Sequence, residues 1–133
     1  MRLPNLRKKP ACRTATSLFA LTTNASCLTA ISDDNRGYDF VYSRQIEALA
    51  SPGDVAIGLS SSGDSLSVLR AFQTAKERGM CTIGLTGRGG GRLRALAEVC
   101  LCVPSADMPR IQEAHVLVGH ILSEIIEREL FSR

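Results

Sequence analysis

Short apolar runs alternate with longer stretches of helical spacing along the chain. Residues 55–59 (VAIGL), 81–86 (CTIGLT) and 99–103 (VCLCV) are apolar or small and bounded by turn residues, so each predicts a strand. Residues 17–23 (SLFALTT) predict a further short buried strand ahead of them. Asn24-Ala25-Ser26 supplies capping chemistry for a short helix through Leu28 and Ile31. Phe40, Val41, Ile46 and Leu49 are spaced for a helix over residues 38–50. Residues 66–78 read as an amphipathic helix that stops at Gly79, a residue suited to the left-handed position after a helix. A short helix over residues 93–97 precedes the last strand. The final helix is predicted from near Met108-Pro109 to Leu130. Its apolar stripe through Ile111, Val116, Val118, Ile121, Leu122, Ile125, Ile126 and Leu130 is wide, which predicts burial on more than one side.

Strands separated by helices imply an α/β fold in which four parallel strands are joined by right-handed crossovers. Ligands of such sheets bind beyond the carboxyl ends of the strands. The loops SDDNRG (residues 32–37), GLSSSGDS (58–65) and GRGGG (87–91) fall at or near that edge.

Composition narrows the class. The 133 residues suffice for one domain with a core, and 44% hydrophobic with 22% charged residues is ordinary for a globular protein. No apolar run approaches the ~20 residues a membrane span needs, so no membrane partner is expected. The net charge of +3 is uneven. Arg2, Arg7, Lys8, Lys9 and Arg13 crowd the first 13 residues without an acid, and the other 120 carry 11 basic and 13 acidic groups, a sum of −2. Residues 1–16 therefore read as a basic, disordered arm and residues 17–133 as the domain. The arm lacks aromatic interleaving and any zinc or helix-turn-helix pattern beside it, which argues against nucleic acid as a partner. It also lacks the apolar core of a secretory signal. Cys12, Cys27, Cys81, Cys100 and Cys102 are odd in number and form no CxxC pair. Cys100 and Cys102 alternate along one strand and so face the same side of the sheet. Buried reduced thiols in a cytosolic protein account for them.

The chemistry concentrates in GLSSSGDS. A loop that leaves a strand and opens a helix presents free backbone N–H groups and the positive end of the helix dipole, which suits a phosphate. Ser60, Ser61, Ser62 and Ser65 add hydroxyl donors, and Gly63 permits close approach. The plainer alternative is that Ser62 or Ser65 only caps the helix. A nucleophile elbow requires glycine where Ser62 stands, and a P-loop requires a lysine after Gly63. GRGGG does not match the dinucleotide fingerprint and reads as a flexible helix-entry loop. The two histidines, His115 and His120, lie in QEAHVLVGH, five residues and about 140° apart on a helix. His115 reads as a packing or interface residue. Gln112 and His120, eight residues apart, lie about 80° apart around the axis and ~12 Å along it, so they line one groove. A metal shared between them would require both side chains to bend toward the midpoint. Asp33 and Asp34 could bind sugar hydroxyls or serve as solvated turn residues.

Taken together, FALTTNASCLTAISDD, SRQIEALASPGDVAIGLSSSGDS, AKERGMCTIGLTGRGGG and RIQEAHVLVGHILSEIIE resemble the sugar isomerase (SIS) family, and its phosphoheptose isomerases in particular. The likeness runs from about Phe19 to Glu127. It implies a three-layer α/β/α fold, cytoplasmic location, a zinc-associated homotetramer and conversion of sedoheptulose 7-phosphate to glycero-manno-heptose 7-phosphate for lipopolysaccharide precursors. It further implies that Ser60, Ser61, Ser62 and Ser65 hold the phosphate and that Asp33 and Asp34 contact the sugar. Gln112 would contact substrate and zinc, and His120 would bind zinc and move protons. The family carries an earlier region with an Asn-Gly-Gly-Ser turn and a helix bearing a histidine and a glutamate, the expected base and zinc ligands. No such region precedes Phe19, so little isomerase activity is expected of this polypeptide alone. Two alternatives share the fold: a non-catalytic protein that binds the replication initiator, and a phosphosugar-sensing module. His120 and the all-serine loop favour the isomerase over the first; a sensor would need the serine loop but not His120.

Overall fold

The computed structural model describes residues 17–34 and 37–131, so the basic arm lies outside the described residues. Helix α1 (Ala25–Asp33) is capped by Asn24, whose side chain accepts from the Cys27 N–H at 3.1 Å. A 3-10 turn (Tyr38–Phe40) leads into α2 (Val41–Leu49). Strand β1 (Val55–Ser60), helix α3 (Leu66–Glu77), strand β2 (Cys81–Gly87), the one-turn α4 (Leu93–Leu96), strand β3 (Val99–Val103) and helix α5 (Met108–Phe131) follow. The strands pair in the order β1-β2-β3, both pairings parallel, with Val55 opposite Cys81 and Ile83 opposite Val99.

Small residues in the strands set how closely the helices approach. A Cβ built at Gly58 would overlap the Phe72 ring of α3, and one at Gly84 would crowd Leu93 and Ala97 at 3.3 Å. These glycines lie on one face of the sheet, and Leu69, Phe72 and Leu93 form a buried cluster over it. Ile46 of α2 packs with Ala71 and Ala75 of α3 in a second cluster. The opposite face carries Val55, Ile57, Leu59, Val99 and Leu101, all exposed, with Val55 and Leu59 at 54%. Helix α5 meets that face only near the end of β2, where Gly87 leaves room for Ile111.

Two expectations fail. Residues 17–23 form no strand; Leu21–Thr23 make a turn closed by Thr23 N–H to Ala20 C=O at 3.2 Å, and Leu18 is 92% exposed. A buried strand needs a neighbour to complete its ladder, and the segment is instead tied down by Gln45 Nε2 donating to Leu21 C=O at 3.0 Å and by Leu21 packing on the Ile46–Ala71–Ala75 cluster. The sheet accordingly has three strands among the described residues, not four. Helix α5 is also not buried on several sides, since only Ile111 and His115 are buried along it. A wide apolar stripe states which faces could be covered, and among the described residues the end of the central strand β2 meets one of them. Among the described residues no helix is long and apolar enough to cross a membrane.

Phe72 fills the gap above Gly58 and is 2% exposed. Phe72→Ala is expected to destabilise the domain by about 3–5 kcal/mol, measured as a shift of the urea midpoint; a change under ~1 kcal/mol would mean that α3 is not held by this contact.

Candidate functional site

The serine loop leaves β1 at Ser60, whose side chain is buried. The Gly63 N–H donates to both the Ser60 carbonyl at 3.0 Å and the Ser60 hydroxyl at 3.2 Å, which folds the chain back on itself. Ser61 lies over β2 and accepts from the Gly87 N–H through its carbonyl at 3.1 Å. The Ser62 hydroxyl accepts from the Asp64 N–H at 3.1 Å. Ser65 takes the position before the first turn of α3, yet its side chain makes no capping bond and sits 3.2 Å from the Ser67 hydroxyl. Capping therefore does not explain the serines. Neither Ser62 nor Ser65 occupies the first-turn N–H groups of α3, which stay oriented toward whatever fills the loop.

The glycine loop after β2 locks this arrangement. Gly63 has φ +72°, and a Cβ there would overlap the Gly90 carbonyl. A Cβ at Gly91 would in turn lie 2.6 Å from the Ser62 carbonyl. The Leu93 N–H donates to the Gly63 carbonyl at 2.9 Å. Asp64 then clasps Arg92, accepting from its N–H at 3.1 Å and from its Nε at 3.0 Å, while Arg92 Nη2 donates to the Asp64 carbonyl at 3.1 Å. Those bonds, the backbone N–H first and the guanidinium second, hold the Asp64 carboxyl below its ordinary range. GRGGG is thus a brace on the serine loop, against the expectation of a free helix-entry loop. Asp64 and Arg92 are the residues that sequence reasoning missed.

The remaining candidates are distributed around this centre. Ile111 packs on Gly87, beside the Ser61 carbonyl, so α5 starts next to the serine loop with Gln112 as its neighbouring, exposed residue. His115 is buried, with Nε2 3.2 Å from the Thr86 carbonyl, the packing role its spacing suggested. His120 is exposed further along the same helix. Asp33 and Asp34 are exposed at the end of α1, where Asp33 lines a groove with Leu28, Ser32 and Tyr38. No group of three His, Cys, Asp or Glu side chains gathers among the described residues. Gln112 and His120, ~12 Å apart along one helix, do not by themselves make a zinc site.

A family profile described as the SIS domain matches residues 11–87. Phosphoheptose isomerases from Sulfurimonas denitrificans and Roseiflexus sp. are 52% and 54% identical over 113 residues, 85% of this chain and 57% of each relative. One from Akkermansia muciniphila is 45% identical over 90% of this chain and 62% of its own length. The structure of a phosphoheptose isomerase from Neisseria gonorrhoeae superposes with a TM-score of 0.79 at 46% identity, over 81% of this chain and 61% of that one. A second, from Francisella tularensis, gives 0.78 at 34% identity, over 82% and 58%. The chain thus spans about three fifths of the relatives it matches.

Asp64 has its carboxyl depressed by Arg92, so the clasp is complete above the ordinary carboxyl range and is lost as the pH falls through the lowered value. Arg92→Ala is expected to move the Asp64 carbon-13 carboxyl titration upward, and to speed hydrogen exchange of the Leu93 amide. An unchanged titration midpoint would refute the clasp.

Proposed function

The chain belongs to the SIS domain family, and from that premise we propose that it forms the phosphate-binding part of a phosphoheptose isomerase acting on sedoheptulose 7-phosphate. The observation that carries this reading is the serine loop itself. It combines a helix N-terminus without a side-chain cap, hydroxyls at Ser61, Ser62 and Ser65, and a backbone locked by the glycine loop. Such a cradle is preorganised for an anion, so little ordering cost falls on binding.

Aldose–ketose isomerisation moves a proton between C1 and C2 through an enediol. Gripping the phosphate at the far end of the sugar orients those carbons against the proton carriers. In this proposal Ser60 shapes the loop while Ser61, Ser62 and Ser65 face the phosphate. Gln112, at the start of α5, reaches the sugar, and His120 carries a proton. Asp33 and Asp34 would hold sugar hydroxyls, which requires their groove to face the substrate. Zinc, when bound, would supply Lewis-acid polarisation of the substrate carbonyl. Gln112 and His120 would contribute to holding it only together with donors outside the described residues. A homotetramer, a place in lipopolysaccharide precursor synthesis and a cytoplasmic location belong to the same reading, on the strength of the family resemblance.

Calorimetric titration of the 133-residue chain with sedoheptulose 7-phosphate and with sedoheptulose tests the cradle. The phosphorylated sugar is expected to bind at least ~10-fold tighter, and Ser65→Ala to remove most of that difference, the scale of one hydrogen bond to a charged group. Equal binding of both sugars would refute the phosphate role. His120→Ala is expected to leave this binding unchanged while abolishing whatever turnover a coupled assay detects; retained turnover would remove His120 from the chemistry.

A further inference from the structure

Beneath the glycine loop, on the sheet face that carries α3 and α4, two thiols meet. Cys100 and Cys102 alternate along β3, and their sulfurs lie 3.8 Å apart. Thr86, fully buried on the neighbouring strand, directs its hydroxyl at Cys102 Sγ at 3.2 Å and lies 3.8 Å from Cys100 Sγ. A Cβ built at Gly90 would lie 2.6 Å from Arg94 Cβ and 2.9 Å from Cys102 Sγ, so loop, arginine and thiol form one layer. Both thiols are free and only half-buried, which leaves them reachable.

Two sulfurs at this separation are already placed for chelation. With metal–sulfur bonds of about 2.3 Å, a spacing of 3.8 Å subtends about 110° at the metal. That angle suits trigonal coordination without strand movement, with a small ligand from solvent in the third position. Zinc in a structural site takes four protein ligands, whereas no third His, Cys, Asp or Glu joins the pair among the described residues. Thiolate pairs favour soft ions, and a cation content with few soft ligands is monovalent copper. The fixed β3 geometry removes the need to order a flexible loop around the ion, and the Thr86 hydroxyl can donate to a thiolate that has lost its own proton.

We propose that Cys100 and Cys102 form a two-thiolate site for a soft monovalent cation of the copper(I) class. On binding, two S–H bonds are replaced by two S–Cu bonds, both protons go to solvent, and copper keeps its oxidation state. The site shares no ligand with the phosphate cradle and adjoins it through Gly90 and through Thr86, which lies opposite Ser60.

The test is an anaerobic titration of the reduced chain with copper(I) against the chromogenic chelator bicinchoninate. One equivalent per chain is expected to leave the chelator, with a thiolate-to-copper band in the ultraviolet. The variant in which Cys12, Cys27 and Cys81 are all replaced by serine should bind within about threefold of the parent. Cys100→Ser and Cys102→Ser should each weaken binding at least 100-fold, with circular dichroism reporting whether the fold is kept. X-ray absorption at the copper edge of the parent chain supplies a readout that needs no variant: sulfur neighbours near 2.3 Å are expected. Failure of the parent to compete with the chelator, loss of copper from the triple variant, retention by folded Cys100→Ser or Cys102→Ser, or an edge spectrum with only oxygen and nitrogen neighbours would each overturn the proposal.

Discussion

The contact between Gly63 and Gly90 is the constraint on which the candidate site rests. A Cβ at Gly63 would overlap the Gly90 carbonyl and one at Gly91 would crowd the Ser62 carbonyl, so the two loops touch backbone to backbone only because both positions are glycine. Once they touch, the Leu93 N–H reaches the Gly63 carbonyl and Asp64 reaches Arg92. The serine hydroxyls then stand on a frame that is set before any ligand arrives. The exposed Asp64–Arg92 pair contributes little as a surface ion pair. Its effect is positional, because three hydrogen bonds converge on one carboxylate and its own carbonyl.

The two faces of the sheet are unlike. Under α3 and α4 the glycines at 58 and 84 admit large side chains and the core is dry and close. The other face keeps a row of β-branched and leucine side chains in solvent and receives only the first turns of α5. The serine loop sits at the strand ends, braced by the glycine loop and bordered on the other face by Ile111 of α5. Gln112 and His120 belong to the sparse side.

Much of this was legible in the residues. The three strands, the helices between them and the loop that gathers the serines follow from apolar runs broken by turn chemistry. The same reasoning overstated SLFALTT and the stripe of α5, because an apolar pattern reports a capacity for burial and says nothing of whether a partner is in the chain. Asp64 and Arg92 escaped notice for a different reason. They are 28 positions apart, and only the parallel register of β1 on β2 brings their loops together. GRGGG looked flexible by composition, yet Gly91 fits against the Ser62 and Gly63 backbone and the Gly90 carbonyl meets Gly63.

Helix α5 has a mechanical character that follows from how it is attached. Ile111 on Gly87 and His115 on Thr86 clamp its first two turns, and the residues past them are exposed or half-exposed. It is a cantilever, with His120 about 7.5 Å beyond the second clamp point at 1.5 Å per residue. A tilt of roughly 10° about that clamp displaces the imidazole by about 1.3 Å, and in the proposed reaction a misplacement of ~1 Å would cost ~100-fold in rate. The angular stiffness of two small contacts, a methyl group against one glycine and an imidazole against one carbonyl, therefore sets how firmly the far part of the helix is aimed.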